Sequence, residues 1–95
     1  MMNYVYIIQS KLDQSFYIGK TSNLEKRLDF HNSYVLNIGI TRRKIPWEYY
    51  HILEMEDAAI ATRIEQHIKR MKSRKYIENL KKYPEMTEKL LKKYS

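Results

Sequence analysis

The hydrophobic pattern changes its period along the chain. Tyr4-Val5-Tyr6-Ile7-Ile8 is an unbroken run of aromatic and β-branched residues, which predicts a strand. The polar stretch Ser10-Lys11-Leu12-Asp13-Gln14 reads as a hairpin turn, and Ser15-Phe16-Tyr17-Ile18 as the return strand, ended by Gly19. With the turn centred near residue 12, Tyr6 and Tyr17 come close to being cross-strand neighbours, on condition of register, since a slip of one residue puts them on opposite faces. Ser22-Asn23-Leu24-Glu25 matches a capping box, Ser22 as N-cap and Glu25 at N3, and predicts a helix of about ten residues. On it Leu24 and Leu28 face inward, while Arg27 and His31 lie one turn apart on a neighbouring stripe. Residues 32–46, with Gly39 and Pro46, read as a loop carrying the basic cluster Thr41-Arg42-Arg43-Lys44. Trp47 to Leu53 is a third strand, with Trp47/Tyr49/His51/Leu53 on one face and Glu48/Tyr50/Ile52 on the other. From about Asp57 to Met71 the pattern turns helical, with Ala61, Ile64, Ile68 and Met71 on one buried stripe. Ser73 caps a further helix carrying Ile77 and Leu80. Pro84 suits the first turn of a last helix with Met86, Leu90 and Leu91. The order ββα, β, then helices predicts an α+β fold: a small three-stranded antiparallel sheet flanked by helices, with extra C-terminal helices.

Length and composition narrow the function classes. A chain of 95 residues is one domain. It has no cysteine, which excludes a disulfide framework and any thiolate metal site. No apolar run approaches the roughly 20 residues needed to span a bilayer, and the start lacks the basic and apolar regions of a signal peptide. The expectation is a soluble cytoplasmic protein with no membrane partner; a homodimer is possible but not indicated. The net charge of +7 is uneven: through residue 57 seven basic side chains face seven acidic ones, and after it eleven face four. A basic last third attracts polyanions, although solvated helix faces explain it equally well on composition alone. Nine tyrosines suit half-buried positions, and Tyr4, Tyr6 and Tyr17 gather near the start.

Tyr4-Val5-Tyr6, followed after ten residues by Tyr17-Ile18-Gly19, resembles the paired motif of the GIY-YIG nucleases. Arg27 stands where that pattern places an arginine, His31 one turn on where it often has His or Tyr, and Glu65 on a later helix where it has its single metal-binding glutamate. The similarity covers residues 3 to about 75 and is greatest to the small single-domain bacterial members. It implies a nuclease domain over residues 1–75 and a basic helical extension, 76–95, packed on the same domain. Two departures stand out. Tyr4 replaces the first glycine of the family pattern, and the only asparagine after Glu65 is Asn79, so the asparagine role of larger members is not carried over.

The resemblance gives each residue a role in phosphodiester hydrolysis. Tyr6 would be the general base or relay the proton of the attacking water. A free tyrosine has a pKa near 10, and the expectation is that Arg27, Lys20 and a metal lower it. Tyr17 would orient the water or bond a phosphate oxygen. Arg27 would clamp the scissile phosphate with its planar fork. His31, with a free pKa near 6.5, is a better-matched base and would relay a proton with Tyr6. Gly19 would let a phosphate approach the backbone, with Lys20 as a second positive charge. Glu65 flanks the buried stripe. Its ordinary partner is Arg63 or Lys69, and its functional one a single Mg²⁺ or Mn²⁺. No DxD, HxH or paired carboxylates exist for a two-metal or zinc site, which fits one metal or none. Arg42, Arg43, Lys69 and Lys72 would hold the backbone of a nucleic acid, most readily DNA. His51 reads as structural, and His67 as facing solvent or phosphate. The implied activity is a metal-dependent DNA endonuclease, structure-selective or weakly sequence-specific. The alternative is a non-catalytic nucleic-acid-binding module on the same fold.

Overall fold

The computed structural model describes residues 1–95. Three strands, β1 (Asn3–Ser10), β2 (Phe16–Thr21) and β3 (Trp47–Met55), form an antiparallel sheet in the order β2-β1-β3. Four helices, α1 (Leu24–His31), α2 (Ala58–Met71), α3 (Arg74–Lys82) and α4 (Pro84–Tyr94), complete the α+β fold, with a short 3-10 helix at Ile40–Lys44. The continuous apolar run of β1 has a direct physical cause. As the central strand it is covered on both faces, and Val5, Tyr6, Ile7 and Ile8 are all buried. Val5 and Ile7 point to the larger core, built with Leu53, Ala61, Ile64, Ile68, Ile77, Leu80 and Leu90 under α2, α3 and α4. Tyr6 and Ile8 point the other way, into a smaller cluster with Trp47 that Leu24 and Leu28 of α1 cover.

Several local expectations change. The capping residue of α1 is Asn23, not Ser22: its side chain accepts from Lys26 N, and its own N–H is taken by Thr21 Oγ1, which starts the helix one residue later. β2 does not end at Gly19 but continues to Thr21. The hairpin register pairs Tyr6 with Gly19 and Ile8 with Tyr17, so the two tyrosines share a face while standing two residues apart along it. The two-face reading of β3 breaks at a bulge. Ile7 pairs with His51 but Ile8 with Tyr49, so the extra residue Tyr50 shifts the alternation. Trp47 and Tyr49 therefore join Tyr6 on the α1 face, while Leu53 joins the larger core. Residues 32–46 are not all loop, because the basic cluster sits on the 3-10 helix. Met71, at the open end of the α2 stripe, remains 45% exposed.

Candidate active site

The site forms where the α1 face of the sheet meets its edge. Tyr6 extends from β1 across edge strand β2 at Gly19. A Cβ on Gly19 would collide with Tyr6 Oη and lie 2.5 Å from its Cζ, so the glycine is there to admit the ring. Tyr6 Oη is 2.8 Å from Nε2 of His31, the last residue of α1 and only 4% exposed. Behind the imidazole, Nδ1 is 2.9 Å from Thr41 Oγ1. Asn37 Nδ2 donates to that same Oγ1 at 2.7 Å and to the His31 carbonyl at 2.9 Å. Trp47 Nε1 donates to the Thr41 carbonyl at 2.8 Å. The tips of the two strands frame the pair. The Tyr17 ring lies 5.3 Å from the His31 ring, and the Tyr49 ring 5.8 Å from that of Tyr6. The Tyr49 hydroxyl donates to the Leu24 carbonyl and ties β3 to α1.

Burial decides the ionisation of this pair. It raises the Tyr6 phenol well above the ordinary value; the positive charge of Arg27 pulls the other way but is outweighed, and the Tyr17, Tyr49 and Glu65 charges add to the rise. Of the expected cations Arg27 does lower the Tyr6 pKa, but burial outweighs it, so the net shift is upward. Lys20 lies on the opposite sheet face, its Nζ donating to Thr62 Oγ1 at 2.5 Å. His31 is lowered to about 4, first by burial and then by Arg27. At neutral pH both groups are therefore uncharged, and a neutral imidazole has one nitrogen free to accept. With the proton on Nδ1, held toward Thr41 Oγ1, Nε2 accepts the Tyr6 hydroxyl.

A stability test follows from that shift. Unfolded His31 takes up a proton near pH 6.5, whereas the folded side chain resists until about 4. Between those values the unfolded chain binds more protons, so stability falls as the pH drops from 6.5 to 4. The expected share of His31 is up to about 3 kcal/mol. Urea unfolding at pH 7 and pH 4.5 should show a smaller loss for His31→Asn than for the wild type. A remainder will persist, because burial also lowers His51 and His67.

The other sequence candidates separate into two groups. Arg27, on α1, and Glu65, on α2, both bring charge to bear on Tyr6. Glu65 is only 14% exposed and pairs with Lys69 at 3.2 Å, one turn on. Arg42 and Arg43 directly follow Thr41 on the 3-10 helix. Arg42 Nε donates to the Tyr34 carbonyl. Arg43 lines a shallow cleft with Ile38 and Ile40, and Lys72 ends α2 in left-handed backbone at an exposed position. His51 Nε2 is 3.0 Å from Thr87 Oγ1, a tie between β3 and α4. His67 is partly exposed: its Nδ1 is 2.7 Å from Tyr94 Oη, between the rings of Tyr76 and Tyr94, and it lines a surface cleft with Lys89 and Lys93. Asn79 lies on α3, beyond the break at Lys72.

Asn37, Thr41 and Tyr49 were not evident as site residues. Asn37 and Thr41 sit in a segment with no periodicity, and only the folded loop shows that they grip His31. Tyr49 followed from neither motif, since the bulge at Tyr50 decides which face it takes.

The donor set also bears on a metal. No group of three or more His, Asp or Glu side chains gathers to hold an ion by protein ligands alone. Glu65 is a carboxylate whose charge bears on Tyr6. That set fits a hard cation with a single protein oxygen, the rest of its shell being water and substrate phosphate.

Sheet order, the Tyr6–Gly19 crossing and the Arg and Glu on flanking helices define one class of protein. The family model described as the GIY-YIG catalytic domain matches residues 2–83, and the chain belongs to that family, a nuclease superfamily. Within it the chain is similar to UPF0213 proteins. It is 32% identical over 83 residues to the one from Syntrophus aciditrophicus (strain SB), covering 87% of this chain and 94% of the relative. A UPF0213 protein of Clostridium perfringens (strain 13 / Type A) is 59% identical over 32 residues, 34% of this chain and 33% of that one. The solution NMR structure of a UPF0213 protein from Bacillus halodurans has a TM-score of 0.52 and 30% identity, covering 84% of this chain and 82% of the other. No helix is long and apolar enough to cross a membrane.

Proposed function

We propose that the protein is a divalent-metal-dependent endonuclease that hydrolyses phosphodiester bonds in DNA, structure-selective or weakly sequence-specific. The observation that carries this reading is the 2.8 Å contact between Tyr6 Oη and neutral His31 Nε2, set over Gly19. A raised phenol is no preformed base at neutral pH, so the base is the pair. As a water oxygen attacks phosphorus, its proton passes to Tyr6 Oη while the Tyr6 proton passes to His31 Nε2. The bond from phosphorus to the leaving oxygen breaks, and that oxygen takes a proton from solvent. Arg27 holds the non-bridging oxygens and offsets their growing charge. Tyr17 orients the water or bonds a phosphate oxygen. Gly19, Lys20, Arg42, Arg43, Lys69 and Lys72 position the nucleic-acid backbone. A bound Mg²⁺ or Mn²⁺ would be held by Glu65 and would supply Lewis-acid stabilisation of the phosphoryl charge. Residues 1–75 form the nuclease module in this reading, with 76–95 as its basic extension, acting in the cytoplasm. The Lys69 ammonium on Glu65 favours a second reading, a binding module in which lysine occupies the place of the cation.

A double-mutant cycle on single-turnover DNA cleavage tests the pair. Tyr6→Phe and His31→Asn are each expected to slow cleavage by about 10²–10⁴-fold. The double variant should lose no more than the worse single one, because the two act as a unit. Losses that multiply would remove the relay. Salt-sensitive binding with no cleavage by the wild type would establish the binding module instead.

A further inference from the structure

Between α1 and the first residue of the 3-10 helix, Ile40 included, five large apolar side chains stand in solvent. Tyr34 is 61% exposed, Val35 85%, Leu36 66%, Ile38 91% and Ile40 78%. Single exposed apolar residues are ordinary, but five within seven positions form a patch of the kind that marks an interaction surface. The loop is also firmly built. Asn37, 1% exposed, donates to the His31 carbonyl and to Thr41 Oγ1, and its Oδ1 accepts from Gly39 N at 2.9 Å. Ser33 Oγ accepts from Leu36 N at 3.0 Å, and the Arg42 guanidinium lies over the Tyr34 ring at 5.9 Å. A buried polar anchor thus holds the apolar tips outward, and this anchor is the hydrogen-bonded chain that reaches Tyr6 through His31.

Charge selects the occupant. No acidic residue occurs between Asp29 and Glu48, while Arg42, Arg43 and Lys44 follow the tips directly. A second copy of the chain docked by the same loop would bring these like charges together. A polyanion with apolar faces suits both features, and nucleobases on a phosphate backbone are such a ligand. An anionic lipid surface would share the charge match, but nothing in lipid binding calls for a loop anchored to His31.

We propose that the 34–40 loop is a wedge for nucleobases: Leu36 and Ile38 enter the base stack beside the phosphate at the Tyr6 site, and Arg42 and Arg43 hold the flanking phosphates. The choice of polymer rests on the nuclease reading. Prying a base step apart costs energy, and the cost is least where stacking is already interrupted. The wedge therefore favours a nick, flap or branch over a continuous duplex, which names the substrate class.

The test uses full-length protein in EDTA with a nicked DNA duplex carrying 2-aminopurine at the nick, and a continuous duplex beside it. Wild type should bind the nicked duplex more tightly and raise its fluorescence as the base unstacks. The Leu36→Ser/Ile38→Ser variant should lose the fluorescence rise and bind the nicked duplex about tenfold more weakly. Its thermal midpoint should match wild type, since both side chains are already exposed. Unchanged binding and fluorescence in that variant would overturn the proposal. So would unchanged DNA binding coupled to lost binding of phosphatidylglycerol vesicles, or to a dimer that dissociates on substitution. Cleavage in Mg²⁺ without a fluorescence response would sink the wedge alone. A fluorescence response with no cleavage in any divalent metal would uphold the wedge and sink the nuclease reading.

Discussion

Gly19→Ala is expected to slow cleavage by about two to four orders of magnitude, as much as removing an acid–base group outright. No positive φ is involved, so the effect is steric alone. The new methyl would occupy the space of Tyr6 Oη and Cζ. Tyr6 is 2% exposed and hemmed in by the rings of Tyr49 and His31, so it has no open direction in which to swing. Either the phenol leaves His31 or β2 bows outward, and both change the geometry at the reacting phosphate. Overpacking of this kind costs about 1–3 kcal/mol, and each kcal/mol lowers the thermal midpoint by about 4–8 °C in a domain of this size. The measurements are the single-turnover rate and the thermal midpoint. A wild-type rate in a folded Gly19→Ala protein would show that Tyr6 need not sit over this glycine.

Glu65→Ala should abolish cleavage with little effect on binding. Losing Glu65 removes the proposed metal-holding oxygen, a loss of about a thousandfold or more in rate. Glu65→Gln should fail as badly, because an amide keeps the shape but not the charge. Binding measured in EDTA should hold or strengthen in both variants. The Lys69 ammonium, released from its 3.2 Å partner, becomes free to meet phosphate. Stability should change little, since removing the mostly buried Glu65 leaves a half-exposed Lys69 that water can solvate. Rates across a Mg²⁺ titration separate the cases: a variant that recovers at high Mg²⁺ has a weakened site, and one that never responds has lost it. Full cleavage by Glu65→Ala would mean that the metal is held elsewhere.

The sequence was most informative where one local pattern had one physical solution. The run Tyr4–Ile8 reads as a strand and the 3–4 spacing of Ala61, Ile64 and Ile68 as a helix with one buried stripe; both form, and the fold adds that the strand is covered on both faces. Ser73 and Pro84 mark the starts of α3 and α4 because their chemistry suits those positions and few others. Positions that depend on distant partners were harder to read. Whether Ser22 or Asn23 caps α1 turns on Thr21, which takes the Asn23 N–H. The faces of β3 turn on a bulge that no residue type announces. The tyrosine and histidine of the site were visible as candidates, but their ionisation was not. Isolated values suggest a phenol lowered by cations, and the fold buries it so that desolvation outweighs Arg27. Asn37 and Thr41 lay in an aperiodic segment, and their hold on His31 exists only once the loop closes.

The most direct test of the central claim is a cleavage assay with the wild-type protein. Labelled linear, nicked, flapped and branched DNAs, with RNA beside them, are incubated in Mg²⁺, in Mn²⁺ and in EDTA. The account predicts DNA cleavage that requires the divalent ion, prefers interrupted duplexes, and disappears in Glu65→Ala and Gly19→Ala preparations purified in parallel. Cleavage that persists in EDTA, or no cleavage of any substrate by protein that still binds DNA in a salt-sensitive way, would contradict it.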